Sequence, residues 1–360
     1  MVLGKREDGR TAVGDIEGVG VQARRDAACR QNVGDVLFEF RAVFVAHEFN
    51  IALAEGGGIS KRFSENKMDA VITYVDGNDP VWKKDYEKTT NVPVMEKRFR
   101  DWGTLKYLLR GIEKKMPFIR NVYLVVSHPS QIPSWADVSQ LNVILHKDII
   151  PQEFLPTFNC NPIEMHLHRI PGLDEEYLYF NDDMFPVGEC KPEDFFRNGR
   201  PVIGYYRHLF ASGMYKKICR NSDRLARKAL GLKPSLFFTR PQHICSPMLK
   251  SQCEELYAKV EDEIRKTSAA RTRTEDNLNQ YLFLDYMNYK EILIKEKISN
   301  KHFSVAVASP ESLRDFLHNP TRNMVCINDV HLSESRYEQL RGAILAAFDS
   351  IFPEKSRFEI

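Results

Sequence analysis

Residues 176–185 read E-Y-L-Y-F-N-D-D-M-F, an apolar run that stops at Asn181-Asp182-Asp183. Tyr177 to Phe180 has the continuous bulky character of a strand buried on both faces. Such strands belong to sheets covered by helices on each side. An acidic turn directly after the strand lies where open α/β sheets hold their ligands, beyond the carboxyl ends of the strands. This one stretch therefore bears on both the architecture and the site.

Working outward, Asp69 to Val75 (D-A-V-I-T-Y-V) is a second apolar, β-branched run, ended by the turn signal D-G-N-D-P at 76–80. Val122 to Ser127 and Asn142 to His146 are read as further strands, and Pro201 to Tyr206 as a fifth. Leu105, Leu108, Leu109 and Ile112 recur at helical spacing after Asp101, read as the cap, and Pro117 ends that helix. Residues 252–266, 275–289 and 335–352 are read as helices, the last with Ser333 or Ser335 as its N-cap. The pattern predicts an α/β fold, with a mostly parallel, Rossmann-like sheet, helices on both faces and a helical C-terminal part. Before Met68 the chain has dispersed Gly and Arg and no recognisable chemistry. Residues 1–67 are read as an N-terminal extension, poorly ordered or not native, 68–334 as the catalytic domain, and 335–360 as a helix packed on it.

Composition narrows the function. With 360 residues, 43% apolar and 28% charged, the chain has the profile of an ordinary soluble globular protein. A net charge of +2 argues against nucleic acid as the main partner. Seven cysteines, an odd number without a C-x-x-C pair, predict neither a disulfide framework nor a structural zinc site. Without an apolar run of transmembrane length or a leader pattern, a cytoplasmic location is expected, with peripheral membrane association left open. The missing G-x-x-x-x-G-K-[ST] loop weighs against a P-loop ATPase.

The acidic turns carry the chemistry. Asp76 and Asp79 follow the first strand, and Asp182 and Asp183 follow the fourth. In a parallel sheet the two turns share a rim, where clustered carboxylates raise one another's pKa unless a cation intervenes. Mg2+ would relieve that repulsion through oxygen ligands. The plainer reading is that Asp and Asn are good turn formers. Val325-Cys326-Ile327 repeats the theme, ending in Asn328-Asp329. Arg98, Arg100, Arg271 and Arg273 stand near turns and helix starts, where guanidinium groups suit phosphate, or else are surface arginines. His243, in the Pro-flanked stretch T-R-P-Q-H-I-C-S-P-M, is a candidate general base. His166 and His168, two apart between Pro162 and Pro171, do not amount to a predicted zinc site.

Four blocks, in order, resemble the Stealth family of sugar-phosphate transferases. The first is D-A-V-I-T-Y-V-D-G-N-D-P, Asp69 to Pro80. The second runs from R-F-R-D-W-G-T-L-K-Y-L-L-R-G-I-E at Arg98, through L-P-T-F-N-C-N-P-I-E, to Y-F-N-D-D-M-F at Phe185. The third holds R-P-Q-H-I-C-S-P-M-L around His243 and R-T-R-T-E-D around Arg273, and the fourth is M-V-C-I-N-D, ending at Asp329. Cys160 departs from the family pattern, where Ser is usual.

The resemblance implies transfer of a sugar-1-phosphate from a nucleoside diphosphate sugar to a hydroxyl of an acceptor glycan, in capsular or exopolysaccharide synthesis. It implies His243, Arg273, Asp182 and Asp329 as catalytic residues. Asp182, Asp183 and Asp329 are the implied ligands of Mg2+ or Mn2+. Asp69, Asp76, Asp79, Arg98, Arg100, Asn159, Glu164, Asn181 and Arg271 are the implied substrate contacts, with the choice between Arg271 and Arg273 open. A peripheral place in a membrane-bound polysaccharide-synthesis complex follows from the same likeness. The competing reading is a metal-dependent glycosyltransferase that releases the nucleoside diphosphate.

Overall fold

The first apolar run becomes β1 (Met68–Thr73), whose side chains are buried along nearly its whole length. It is followed by α1 (Pro80–Thr89), α2 (Leu105–Lys115), β2 (Ile119–Val126), β3 (Asn142–Leu145), α3 (His146–Ile149) and α4 (Cys160–His166). Next come β4 (Glu176–Asn181), β5 (Met184–Pro186), β6 (Phe196–Arg197), β7 (Arg200–Pro201), β8 (Tyr205–His208) and α5 (Gly213–Ala229). The rest comprises β9 (Phe238–Pro241), β10 (Ser246–Leu249), α6 (Lys250–Lys259), α7 (Glu261–Ser268), α8 (Tyr281–Tyr289), β11 (Asn300–Ser304), α9 (Pro310–His318), β12 (Met324–Asn328) and α10 (Glu334–Ile351). This computed structural model describes residues 67–90, 94, 99–305, 307–329 and 332–360. Arg98, and the reading of residues 1–67 apart from Lys67, lie outside the described residues.

The main sheet has the order β10-β4-β1-β2-β3. β1 pairs in parallel with β2 and β4, and β2 with β3, as the continuous apolar runs predict. The fifth strand is not Pro201 to Tyr206. That stretch splits between two small antiparallel ladders, and the fifth place is taken by β10, antiparallel to β4. β10 carries Pro247, which an edge strand tolerates because one side of its backbone pairs with nothing. A second sheet, β11-β12-β5, stands beside the first.

The helices depart from the sequence pattern in three places. Asp101 does not cap α2; its carboxylate accepts the Gly103 N–H at 2.9 Å in the turn before the helix. Residues 252–266 break at Val260 (φ −132°, ψ 31°) into α6 and α7. The helix expected from Glu275 starts only at Tyr281. Ser333, rather than Ser335, caps α10 by accepting the Arg336 N–H.

Two packing details fix the surroundings of the site. A Cβ on Gly111 would meet the Pro186 carbonyl at 2.6 Å, so glycine lets α2 lie directly against β5. The C-terminal segment is bolted to α2 by Arg110, which donates to Glu359 through Nε (2.8 Å) and Nη2 (2.6 Å), and to the Phe352 carbonyl at 2.7 Å. His166 and His168 are core residues packed on Tyr257, and burial lowers their pKa values to about 4 and about 3.

Candidate active site

The strand registers bring the chemistry together. Thr73 of β1 lies opposite Asn181 of β4, so both strands end on the same rim. β10 runs the other way, with Ser246 opposite Tyr179, so the residues just before it pass the end of β4; His243 is among them. β12 pairs with β5 through Cys326 and Met184, and the Ile327 N–H donates to the Asp183 carbonyl at 2.9 Å. Asp182, Asp183, His243 and Asp329 therefore wall one cavity of about 1120 Å³.

Its electrostatics are those of crowded carboxylates. The Asp182 carboxyl is pushed up to about 8, by burial first and then by Asp183, Asp101 and Asp329. Burial also raises Asp101, whose carboxyl hydrogen-bonds the Tyr74 hydroxyl. Asp183 Oδ1 is buried with no hydrogen-bond partner. Its Oδ2 accepts from the Cys326 thiol at 3.4 Å and lies 4.0 Å from His243 Nε2. The other ring nitrogen of His243, Nδ1, lies 3.2 Å from the Tyr281 hydroxyl. Burial lowers the His243 pKa below its ordinary value, against the pull of Asp183, which favours the uncharged imidazole. Asp329 is oriented by Trp102, whose indole N–H donates to Oδ2 at 3.1 Å.

These residues fit a divalent cation. Asp183 has an orphaned buried carboxylate oxygen, and the Asp182 carboxyl is raised by burial and by its acidic neighbours, two strains that a cation would relieve. The donors that approach one another most closely differ from the predicted set. Among the described residues, Asp183, His243 and Cys326 offer donor atoms within 4.8 Å of one another. That oxygen, nitrogen and sulfur set is softer than the all-oxygen set of Asp182, Asp183 and Asp329.

The same stretches carry the likeness to known proteins. Residues 98–202 match the family model described as Stealth protein CR2, conserved region 2. Over 336 residues, 82% of this chain and the whole of the relative, it is 32% identical to the capsular polysaccharide phosphotransferase WcwK of Streptococcus pneumoniae. This chain belongs to the Stealth family. It is 33% identical over 340 residues to the receptor polysaccharide phosphotransferase WefC of Streptococcus oralis, across 82% of this chain and the whole of the relative. An exopolysaccharide phosphotransferase of Lactiplantibacillus plantarum, cps2G, is 29% identical over 81% of this chain and 96% of its own length. The Stealth chain is a polysaccharide phosphotransferase of capsular or exopolysaccharide synthesis. Region 98–202 supplies the Arg100-Asp101-Trp102 segment and the Asn181-Asp183 turn, whereas His243, Arg273 and Asp329 come from beyond it.

Several predicted substrate contacts line the Stealth cavity. Asn181 does, with its Oδ1 accepting from the Tyr179 hydroxyl at 2.7 Å. Arg100 lies there with its guanidinium 4.2 Å above the Tyr337 ring. Arg273 lies there with Nη2 2.6 Å from the Cys160 sulfur, electrostatically coupled to the buried Glu164. Burial pushes the Cys160 thiol up to about 12, so it remains a thiol. Glu164 accepts the Gln280 N–H at 2.9 Å, and the Asn159 side-chain amide ties the Ala270 carbonyl to Asn277. Both also touch the cavity, but they serve first as loop ties.

Other predicted contacts do not reach it. Asp69 sits at the opposite end of β1, held by two bonds from Arg120 and one from the Asp174 N–H. Asp79 caps α1 through the Val81 N–H and is held by Ser130 and Gln131. Asp76 faces an adjoining cavity of about 390 Å³ instead. Arg271 donates to the carbonyls of Pro156 and Glu153, at 2.9 Å each, and so ties its loop to the segment before α4. Only Arg273 of that pair lines the cavity.

The residues missed in the sequence are Asp101, Trp102, Cys326, Arg240, Lys301 and Tyr281, all but Cys326 on the cavity wall. The D-W-G triplet after Arg100 was the signal for Asp101 and Trp102, and the place directly before Ile-Asn-Asp the signal for Cys326; Arg240, Lys301 and Tyr281 had none.

Proposed function

We propose that this phosphotransferase moves a sugar-1-phosphate from a nucleoside diphosphate sugar to a hydroxyl of an acceptor glycan. The observation that supports this reading is the place of His243, with Nε2 4.0 Å from Asp183 Oδ2, in a cavity also walled by Arg240, Arg273 and Lys301. Its volume of about 1120 Å³ exceeds the usual range for one drug-sized ligand, roughly 300–1,000 Å³, and suits a nucleotide sugar together with an acceptor sugar.

In the reaction the acceptor oxygen bonds to the phosphorus that carries the sugar. The bond from that phosphorus to the bridging oxygen breaks, and the nucleoside monophosphate leaves with the electron pair. His243 Nε2 takes the acceptor hydroxyl proton, and the contact of Nδ1 with Tyr281 holds the ring in place. Arg273, Arg240 and Lys301 stabilise charge on the equatorial oxygens of the moving group. Trp102 keeps Asp329 aimed into the cavity. A divalent cation such as Mg2+ or Mn2+, held by Asp182, Asp183 and Asp329, would neutralise the diphosphate. Trp82, Phe99 and Phe158 form an aromatic wall suited to the nucleoside base.

The test is the nucleotide product. A panel of nucleotide sugars with a polysaccharide acceptor should yield a nucleoside monophosphate and a phosphorus-containing glycan. Release of the nucleoside diphosphate, with no phosphorus in the glycan, would sink the reading.

A further inference from the structure

Residues 205–240 form a flap of unusual surface chemistry. They hold nine Lys or Arg against Asp223 alone, a net +8 in a chain whose total is +2. Asp223 is buried and paired with Arg227, and Lys217 and Lys228 pair with Glu275 and Glu263. Arg224 and Lys233 are exposed and have no ion-pair partner among the described residues. Apolar exposure concentrates in the same place. Of the eleven large hydrophobic side chains exposed among the described residues, seven lie between 206 and 237. Phe210 is 78% exposed and Leu236 84%.

Topology gathers these side chains at one end. β8 and β9 pair with His208 opposite Phe238, so Leu209-Phe210 and Leu236-Phe237 project from the same end of one ladder. α5 connects the two strands and buries Ile218, Cys219, Leu225 and Ala226 against the body of the protein, leaving Arg224 and Lys228 outward. Arg207 lies 4.0 Å over the Phe237 ring, so cation and apolar tip are presented together. Tyr206, Tyr215, Lys216 and Arg240 of the same flap line the catalytic cavity.

Basic side chains around projecting Leu and Phe are the chemistry of a surface that enters the headgroup boundary of a bilayer. A soluble polyanion would reward the cations but not bare Phe210 and Leu236. Among the described residues no helix is long and apolar enough to cross a membrane, so such contact would be peripheral. We propose that the 205–240 flap docks on an anionic lipid surface, with the Leu209-Phe210 and Leu236-Phe237 tips inserted and the catalytic mouth held beside the headgroups. An acceptor glycan would then be met at the membrane surface; that last point rests on the proposed phosphotransfer, whereas the docking does not.

Cosedimentation of the full chain with vesicles tests it, comparing mixed phosphatidylglycerol and phosphatidylcholine with phosphatidylcholine alone. The wild type should bind the anionic vesicles, more weakly as salt rises. Phe210→Ser with Leu236→Ser should weaken binding by about tenfold or more. Arg224→Glu with Lys233→Glu should abolish the preference for anionic lipid. None of the four lines the cavity, so phosphotransfer to a soluble acceptor should persist in both variants and report an intact fold. A wild type that ignores both vesicle types, or an apolar double variant that binds like the wild type, overturns the proposal. Equal binding to soluble dextran sulfate, insensitive to the apolar pair, would reassign the flap to a polyanionic glycan.

Discussion

Asp182→Asn, in protein stripped of divalent cations, should become more stable than the wild type as the pH rises. The carboxyl is raised from an ordinary 3.8 to about 8 by burial and by Asp183, Asp101 and Asp329. Below pH 3.8 it is protonated in folded and unfolded chains alike, and the substitution changes little. Above that the unfolded chain releases the proton while the folded chain keeps it. Wild-type stability therefore falls relative to the variant until about pH 8, where the difference levels off. At about 1.4 kcal/mol per pH unit the ceiling is about 6 kcal/mol. Partial solvent contact of the carboxyl reduces the expectation to about 2–3 kcal/mol. Urea denaturation of both proteins at about pH 4 and about pH 9 reads the gap directly. Mg2+ bound by the carboxylates as proposed would narrow it by stabilising the wild type. A gap of the same size at both pH values, or a variant less stable at the higher one, would refute the reasoning.

His243→Gln should lower kcat by about 10²–10⁴-fold. It should also abolish the acid limb of the pH–rate profile, whose midpoint in the wild type should lie below 6.5 because burial disfavours the imidazolium. Near-normal turnover in a folded variant would end its role as base. Trp102→Phe keeps an aromatic edge against Tyr337 but removes the N–H held by Asp329, so kcat/KM should fall about tenfold or more, equivalent to roughly 1.5–3 kcal/mol. Lost stability with unchanged kinetics would instead mark Trp102 as packing alone. Arg110→Ala strands the buried Glu359 carboxylate and should cost about 3–5 kcal/mol in denaturation experiments. A loss under about 1 kcal/mol would show that the pair is dispensable.

The parallel core was legible because its signal is local. Val71, Ile72, Val122, Leu124 and Phe180 are buried on both faces and betray it by composition alone. β10 was not legible, since four residues containing a proline resemble a loop until β4 is seen beside them. The site divides the same way. Asn181-Asp182-Asp183 could be placed at a strand end, and His243 could be picked out as a loop histidine. That the two meet depends on the register of β10 against β4, which no window of sequence contains. Asp101 was read as a helix cap because the cap pattern is local, whereas its bond with Tyr74 joins residues far apart in the chain. Asp69 and Asp79 failed in the opposite way, because carboxylates near a site motif also do structural work at caps and ion pairs.

Asn181 closes a strand of the five-stranded sheet, and Met184 opens one in the three-stranded sheet. Asp182 and Asp183 are the two residues that belong to neither. Their spacing from His243 is set from one sheet, and their spacing from Asp329 from the other. The active centre thus works as a vernier, registering small slips between two scales. A mutational scan should therefore find a second class of sensitive positions, apolar ones such as Met324 and Val325, where volume alone changes activity without touching a substrate.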